Sequence, residues 1–288
     1  MLSKHAPLKS SMAAESAAPP AASLRDLNIR TYRLSELAKD ECPVIFIHSP
    51  RSAGASTLIG SLLVQLQQDW GLDGAFVLTD RADRYYMGGI LPSGIILDKP
   101  FEFVLRKLIE VQCHRQSTFP DRPALKLAIA VDDFIYQSKD LKSAAVIRDI
   151  KLAKSYSIAI IIATPDATIL PGSNGHTLAT HVLATRCIST EEPKLLKKSL
   201  FVMFDSPVAL ADTLALCRKH EYLLGLLRVG TTTGSSTFLD YSRSYCPQLY
   251  VASSDMDSAG VEAVFDMDPD LISHMTYALS VRSNMRAV

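Results

Sequence analysis

The sequence lacks any hydrophobic run close to the ~20 residues that span a membrane, and its longest run, 158–164, has the length of a β-strand. It also lacks net charge, because 30 basic and 30 acidic residues cancel, which excludes general attraction to nucleic acid or to an anionic membrane and leaves only local patches. The five cysteines include no Cys-x-x-Cys pair. We therefore expect free thiols in a reducing, intracellular compartment, with no membrane span, zinc site or disulfide framework.

The first 23 residues lack the apolar core of a secretory signal as well. They are rich in alanine, serine and proline, a composition typical of disordered segments. We expect a disordered N-terminal tail over residues 1–23 and one ordered domain over residues 24–288, of which 253–288 form a C-terminal extension.

Segments that are apolar throughout alternate with segments of helical periodicity. Strands are predicted at Val44–His48, at Gly74–Leu78, within 125–134 and at Ile158–Ala163, and helices are predicted to begin near Ser56, Phe101 and Asp140. This alternation predicts an α/β fold, a mainly parallel sheet with helices on both faces. Residues 79–98 are predicted to form a loop. After residue 190 the pattern weakens, with strands expected at 200–204 and 226–230 and a helix at 207–220.

The segment SPRSAGAST, from Ser49 to Thr57, follows the first strand and precedes a helix. It is close to the Walker A phosphate-binding pattern G-x-x-x-x-G-K-[ST], with Gly54 as the second glycine and Ser56 as the hydroxyl that binds Mg²⁺. Ser49 replaces the first glycine, and Ala55 replaces the lysine. In such a loop, backbone N–H groups at a helix N-terminus surround a phosphate. The alternative interpretation is an ordinary strand-to-helix turn without a ligand.

Two aspartates end the apolar run 127-LAIAVDDF-134. Asp132 is thereby predicted at the carboxyl edge of the sheet, where α/β proteins bind ligands and where a Walker B aspartate holds Mg²⁺. Asp133 is then placed to orient a water for attack on a γ-phosphate. The alternative is an Asp-Asp turn that only ends the strand. The loop upstream favours the functional interpretation.

A polar residue, Thr164, ends the next predicted strand and precedes Pro165. In many P-loop motors a polar residue at the end of the strand beside Walker B senses the γ-phosphate, which is the role we predict for Thr164. A Thr-Pro pair is also a common way to end a strand.

These motifs and their spacing resemble the genome-packaging ATPases of large double-stranded DNA viruses, within the FtsK/HerA branch of P-loop NTPases, whose best-known example is the poxvirus packaging ATPase. The resemblance runs from about Leu24 to Ala252, and the segment 91–112 resembles the family's linker and helix between its first two motifs. The residues that carry it, besides the two motifs above, are Ile147, Arg148, Ala163, Thr164, Leu170 and Pro171.

The resemblance implies a P-loop NTPase core that binds ATP and Mg²⁺. Nucleotide binding would fall to Ser49, Pro50, Arg51, Ser52, Ala53, Gly54, Ala55, Ser56 and Thr57. Ser56 and Asp132 would hold the metal. Asp133 would act in hydrolysis, and Thr164 would sense phosphate. Family members carry glycine, lysine and usually glutamine where this chain has Ser49, Ala55 and Pro165.

The missing lysine lowers the expected activity. A charge-assisted contact to phosphate is worth ~1.5–3 kcal/mol, so its loss weakens binding by roughly one to two decades, and hydrolysis by more. Arg51, inside the loop, is a candidate catalytic cation that replaces the lysine; the alternative, a solvated loop cation, is the commoner role for such a residue. Arg148 or Arg186 of a neighbouring subunit is a second candidate source of positive charge.

The expected function is ATP-driven packaging of double-stranded DNA into a viral capsid by a homo-oligomeric ring, with capsid proteins as further partners. The expected location is the host cytoplasm or nucleus at sites of virus assembly, or the virion. One alternative is a catalytically inactive P-loop paralogue with a structural or regulatory role. Another is a DNA-binding module that needs no nucleotide.

Overall fold

The computed structural model describes residues 42–79, 95–97, 100–133, 141–170, 175–217, 221–227 and 234–240. All of them belong to one compact unit, Thr31–Val288. The predicted tail, 1–23, and the predicted C-terminal extension, 253–288, lie outside the described residues.

The strands form from short runs rich in β-branched and other apolar residues, which fit a pleated, buried surface. They are β1 (Val44–His48), β2 (Gly74–Leu78), β3 (Ile95–Leu97), β4 (Leu127–Val131), β5 (Ile158–Thr164), β6 (His181–Ala184), β7 (Glu221–Leu227) and β8 (Gly234–Asp240). Every residue of β1, β2, β4, β5 and β6 is buried. Such continuous burial requires that the sheet be covered on both faces.

The helices carry apolar residues at helical spacing and lie between the strands in the chain. They are α1 (Ala55–Trp70), α2 (Phe101–Thr118), α3 (Ala144–Ser155), α4 (Gly175–Leu178), α5 (Glu192–Ser199) and α6 (Pro207–Ala215). Among the described residues, no helix combines the length and apolar character needed to cross a bilayer.

One eight-stranded sheet joins the strands in the order β3-β2-β4-β5-β1-β6-β7-β8. Strands β1 to β6 pair in parallel, whereas β6–β7 and β7–β8 are antiparallel. The strand β5 lies between β1 and β4. The carboxyl ends of β1, β5 and β4 therefore meet at the same edge of the sheet.

Alternate residues of each strand pack on opposite faces of the sheet. In β1, Ile45 and Ile47 pack with the apolar side of α1, whereas Val44 and Phe46 pack with residues of α2, α3, α5 and α6. Helices thus cover both faces, and the predicted fold class, α/β with a mainly parallel sheet, is confirmed.

The weakly patterned regions account for the wrong predictions. Residues 200–204 do not form a strand. The backbone amides of Leu200 and Phe201, just after α5, both donate to the carbonyl of Leu196. Both side chains are fully buried, which explains the apolar sequence. The stretch predicted as a loop at 79–98 contains β3. The strands β6 and β8 were not predicted. The strand expected at 226–230 overlaps β7 at Leu226 and Leu227, and residues 228–230 lie outside the described residues. The helix expected at 207–220 begins at Pro207 and ends at Ala215.

Candidate functional site: a cavity at the carboxyl edge of the sheet

A cavity of about 430 Å³ opens where β1, β4 and β5 end. Its position follows from the strand register, because His48 of β1 pairs with Thr164 of β5 and both are the last residues of their strands. The residues that line it are Ser49, Pro50, Arg51, Ser52, Gly54, Ala55, Ser56, Thr57, Asp132, Asp133, Ala163, Thr164 and Pro165. The cavity therefore unites the three sequence motifs, and of the predicted site residues only Ala53 is absent from its wall.

The loop between β1 and α1 is a tight turn. The amide of Ser49 donates to the carbonyl of Thr164 at 3.0 Å, which extends the β1–β5 pairing by one residue, and the amide of Ala53 donates to the carbonyl of Pro50 at 3.1 Å. Ser52 and Gly54 both have positive φ, at 66° and 96°. A glycine adopts such a φ without steric cost, so Gly54 suits the point where the chain turns into the helix.

The helix α1 directs its N-terminus at the cavity, since Ala55, Ser56 and Thr57 begin the helix and line the wall. The N–H groups of a first helical turn have no partners inside the helix, and the helix dipole adds positive potential there. This end of the cavity is therefore suited to an anion.

A hydroxyl and a carboxylate meet beside the N-terminus of α1. Ser56 Oγ donates to Asp132 Oδ2 at 2.6 Å. Asp132 is 5% exposed and follows the last residue of β4, and its amide donates to the carbonyl of Leu78 at 3.0 Å. The two residues predicted to hold a metal are thus in direct contact, although they are far apart in the chain.

Asp133 and Thr164 also line the cavity, with different surroundings. Asp133 has φ 59°, a left-handed conformation that aspartate tolerates better than most residues. Thr164 is 1% exposed, and its hydroxyl accepts from the amide of Asp166 at 3.1 Å and lies 3.3 Å from the carbonyl of the same residue. The Thr164 hydroxyl therefore closes the turn after β5.

The charges around the cavity differ from those of an ordinary Walker A loop. Ala55 occupies the lysine position on the cavity wall and brings no charge there. Arg51 lines the same wall and is exposed. Of the two arginines predicted to act between subunits, Arg148 has a 73% exposed side chain beside Asp149, and Arg186 donates from Nε to the carbonyl of Cys217 at 2.8 Å.

Tyr222, on β7, was missed in the sequence. Its hydroxyl lies 2.6 Å from Ser49 Oγ and donates to the carbonyl of Ala53 at 3.3 Å. Both partners belong to the loop. No sequence pattern links a tyrosine to a loop 173 residues away, so only the sheet topology could reveal it.

His48, directly before the loop, is fully buried on the face of β1 opposite α1. Within the described part of the chain, neither ring nitrogen has a hydrogen-bond partner. Burial lowers the pKa of His48 to about 4, while the negative charges of Glu192 and Asp166 act in the opposite direction. The imidazole is therefore neutral at pH 7 and adds no positive charge beneath the cavity.

No protein-family model matches the chain, and no curated protein matches it. Among solved structures, it is similar to the genome packaging NTPase B204 from Sulfolobus turreted icosahedral virus 2 in complex with ATPγS, at 11% identity and a TM-score of 0.48, over 69% of this chain and 98% of that chain. It is also similar to the pCW3 conjugation coupling protein TcpA, at 12% identity and a TM-score of 0.47, over 73% of this chain and 62% of that chain. A third is the cytoplasmic domain of the type VII secretion ATPase EccC from Thermomonospora curvata, at 15% identity and a TM-score of 0.45, over 69% of this chain and 25% of that chain. Residue roles therefore rest on the geometry of this chain itself.

Proposed function

We propose that the cavity binds Mg·ATP and that the chain is a P-loop ATPase subunit of a viral DNA-packaging motor. The observation that carries the nucleotide site is the 2.6 Å contact between Ser56 Oγ and Asp132 Oδ2. A hydroxyl and a carboxylate are the hard oxygen ligands that Mg²⁺ prefers, and one or two such protein ligands suffice because substrate phosphates and waters complete its shell. The residues present therefore fit the metal.

The dimensions and lining of the cavity also support a nucleotide. Its volume of about 430 Å³ falls in the range of ligand pockets, roughly 300–1,000 Å³. The N-terminus of α1, which suits an anion, and the carboxylate of Asp132 both line the cavity and are joined through Ser56. The cavity therefore offers groups for phosphates and for a cation beside one another.

Each residue then has a distinct task. The backbone N–H groups from Gly54 to Thr57 hold and orient the phosphates. Ser56 and Asp132 hold Mg²⁺, whose charge offsets the negative charge that develops on the transferring phosphoryl group. Asp133, the next residue along the chain from Asp132 and also on the cavity wall, orients the attacking water and accepts its proton, and Arg51 brings positive charge from within the loop.

The motor function rests on the sequence resemblance to viral packaging ATPases. In this proposal the chain assembles as a homo-oligomeric ring on double-stranded DNA, contacts capsid proteins, and acts at sites of virus assembly in the host cytoplasm or nucleus. Thr164 signals the presence of the γ-phosphate in that cycle. Arg148 or Arg186 reaches the site of the adjacent subunit; the exposure of Arg148 supports the first, since its guanidinium is accessible.

A second function, nucleotide binding without hydrolysis, is favoured by Ala55. The wall position that normally brings a lysine carries a methyl group here. Binding loses ~1.5–3 kcal/mol from such a change, whereas catalysis loses a charge at the place where negative charge develops in the transition state. A structural or regulatory subunit of a mixed ring would have this property.

Titration with a fluorescent ATP analogue, with and without Mg²⁺, tests the nucleotide site. We expect Mg²⁺-dependent saturable binding that Asp132→Ala weakens about a hundredfold, the upper range for a charge-assisted contact. Asp121→Ala, an exposed carboxylate in the turn after α2, is the matched control and should leave affinity unchanged. Equal binding by Asp132→Ala and wild type would exclude this site.

Turnover with purified protein and double-stranded DNA separates the motor from the non-hydrolysing subunit. DNA-stimulated phosphate release that Asp133→Asn abolishes supports the motor. Mg·ATP binding without release supports the second function. DNA affinity that is independent of Mg·ATP, together with no nucleotide binding, would support the DNA-binding module instead.

A further inference from the structure

A buried tyrosine connects the loop to a distant strand. Tyr222 is 0% exposed and packs with the residues of the α1 face of the sheet. Strand β7 is separated from β1 by β6, a distance of about 10 Å at the usual spacing of strands. Because Ala184, the last residue of β6, pairs with Leu223, the side chain of Tyr222 passes the end of β6 to reach Ser49 and Ala53.

The hydroxyls of Ser49 and Tyr222 can each donate in this contact, and the carbonyl of Pro50, 3.4 Å from Ser49 Oγ, is a longer alternative acceptor for the serine. Tyr222 has one hydroxyl proton, and in the arrangement where it donates to the carbonyl of Ala53 at 3.3 Å, Ser49 donates to the tyrosine oxygen at 2.6 Å. The three groups then form a chain from Ser49 through Tyr222 to Ala53. A glycine, the usual residue at this loop position, has no hydroxyl and could not start it.

The contact also orients the peptide group that follows. In a trans peptide the C=O of one residue and the N–H of the next point in opposite directions. Because the Ala53 carbonyl is turned towards Tyr222, the N–H of Gly54 is turned away from it. Gly54 lines the cavity whereas Ala53 does not, which agrees with an amide directed at the bound anion.

We propose that Tyr222 is a positioning residue that, through Ser49 and Ala53, holds the loop in the conformation that presents the Gly54 amide to a phosphate. This rests on the nucleotide-binding function proposed above. Ser49, at the first glycine position of the pattern, and Tyr222, on β7, then act together as a hydrogen-bonded pair.

Two variants remove the contact from either side, Tyr222→Phe and Ser49→Ala, and the double variant tests whether they act together. Tyr156→Phe is the matched control, because Tyr156 follows α3 at the opposite end of β5, about 20 Å away along that strand. Hydrogen exchange by mass spectrometry of nucleotide-free protein reports on the loop, and titration with Mg·ATPγS reports on the site.

The proposal is supported if the effects on hydrogen exchange are confined to the loop and the two substitutions are not additive. Exchange in peptides covering 49–57 rises several-fold in both single variants, while peptides of β4 and β5 and the control variant stay as in wild type. Each single variant weakens Mg·ATPγS binding by up to about tenfold, as expected for one hydrogen bond, and the double variant is no worse than either single variant.

Three outcomes would overturn the proposal. Unchanged loop exchange in both single variants means that the tyrosine does not hold the loop, whatever the affinity. Exchange that rises equally throughout the protein means a general stabilising role. A wild-type chain that binds no Mg·ATPγS ends the proposed function and the positioning role with it, although faster loop exchange in Tyr222→Phe would still show that the contact exists.

Discussion

The two halves of the loop between β1 and α1 are held by different contacts. The amino-terminal half, Ser49–Ala53, is fixed by distant parts of the sheet: the carbonyl of Thr164 on β5 and the hydroxyl of Tyr222 on β7. The carboxyl-terminal half, Gly54–Thr57, is held locally by the start of α1, and the hydrogen bond from Ser56 to Asp132 joins it to the end of β4.

The chain departs from the Walker A pattern at Ser49 and at Ala55, and only the first of these residues gains a contact with another part of the structure. At Ser49 the extra side chain has a partner and is 3% exposed. At Ala55 a charge is missing from the cavity wall, and packing cannot restore a charge. The amino-terminal half therefore has a contact that holds its conformation, whereas the carboxyl-terminal half keeps the proposed metal ligand Ser56 and lacks the lysine.

Restoring the cation should have the largest effect. We expect Ala55→Lys to raise ATP turnover about a hundredfold, because one added donor to the transition state is worth about two to three decades in rate. Phosphate release measured with DNA present checks this. Ala53→Lys, a lysine in the same loop but off the cavity wall, is the control. If Ala55→Lys is no faster than wild type, the missing lysine does not limit ATP turnover in this chain.

Removing the metal hydroxyl should have the next largest effect. Ser56→Ala is expected to weaken Mg²⁺-dependent binding of a fluorescent ATP analogue roughly ten- to thirtyfold, the lower part of the range for a charge-assisted contact, and to leave metal-free binding unchanged. Ser61→Ala is the control, since Ser61 lies further along α1 and its buried hydroxyl has no partner among the described residues. Equal losses with and without Mg²⁺ would argue against a metal ligand.

The loop arginine should have a smaller effect. We expect Arg51→Ala to reduce turnover about tenfold, because an exposed guanidinium is screened by water and acts across the loop. Arg122→Ala, an exposed arginine after α2, is the control. Turnover that is unchanged in Arg51→Ala would identify Arg51 as a solvated residue, and complete loss would identify it as the full replacement for the lysine.

The smallest effect concerns stability at the base of the amino-terminal half. The pKa of His48 is about 4 in the folded chain, against the ordinary histidine value of 6.5 in the unfolded chain, so between these values the unfolded chain binds a proton that the folded chain does not. Stability is therefore full above pH 6.5 and falls as the pH drops towards 4, by roughly 1 kcal/mol per pH unit.

Denaturant unfolding at several pH values measures this slope, and His48→Leu should flatten it. His114→Gln, an exposed histidine, should not change it. The pKa of His181, which burial lowers to about 3, adds a similar slope to wild type and to both variants. An unchanged slope in His48→Leu would place the titration elsewhere.

The strongly patterned elements were predictable because their cause is local. A short, fully apolar run such as Gly74–Leu78 is typical of a buried strand, and its predicted bounds agree with the structure. Leu200 and Phe201 were mistaken for a strand because burial in a turn leaves the same apolar signature. The strand β8, with its mixed serine and threonine content, has no clear alternation and was missed.

The candidate site also has some features that the sequence predicts and others that only the tertiary structure shows. The order of strand, loop and helix, the aspartates after β4 and the absence of a lysine are properties of the sequence alone, because each depends on neighbours in the chain. The tertiary structure decided that β5 lies between β1 and β4, that Ser56 contacts Asp132, and that Tyr222 reaches Ser49. Those contacts depend on which strands pair, and pairing is settled by the burial of the whole sheet rather than by any single segment.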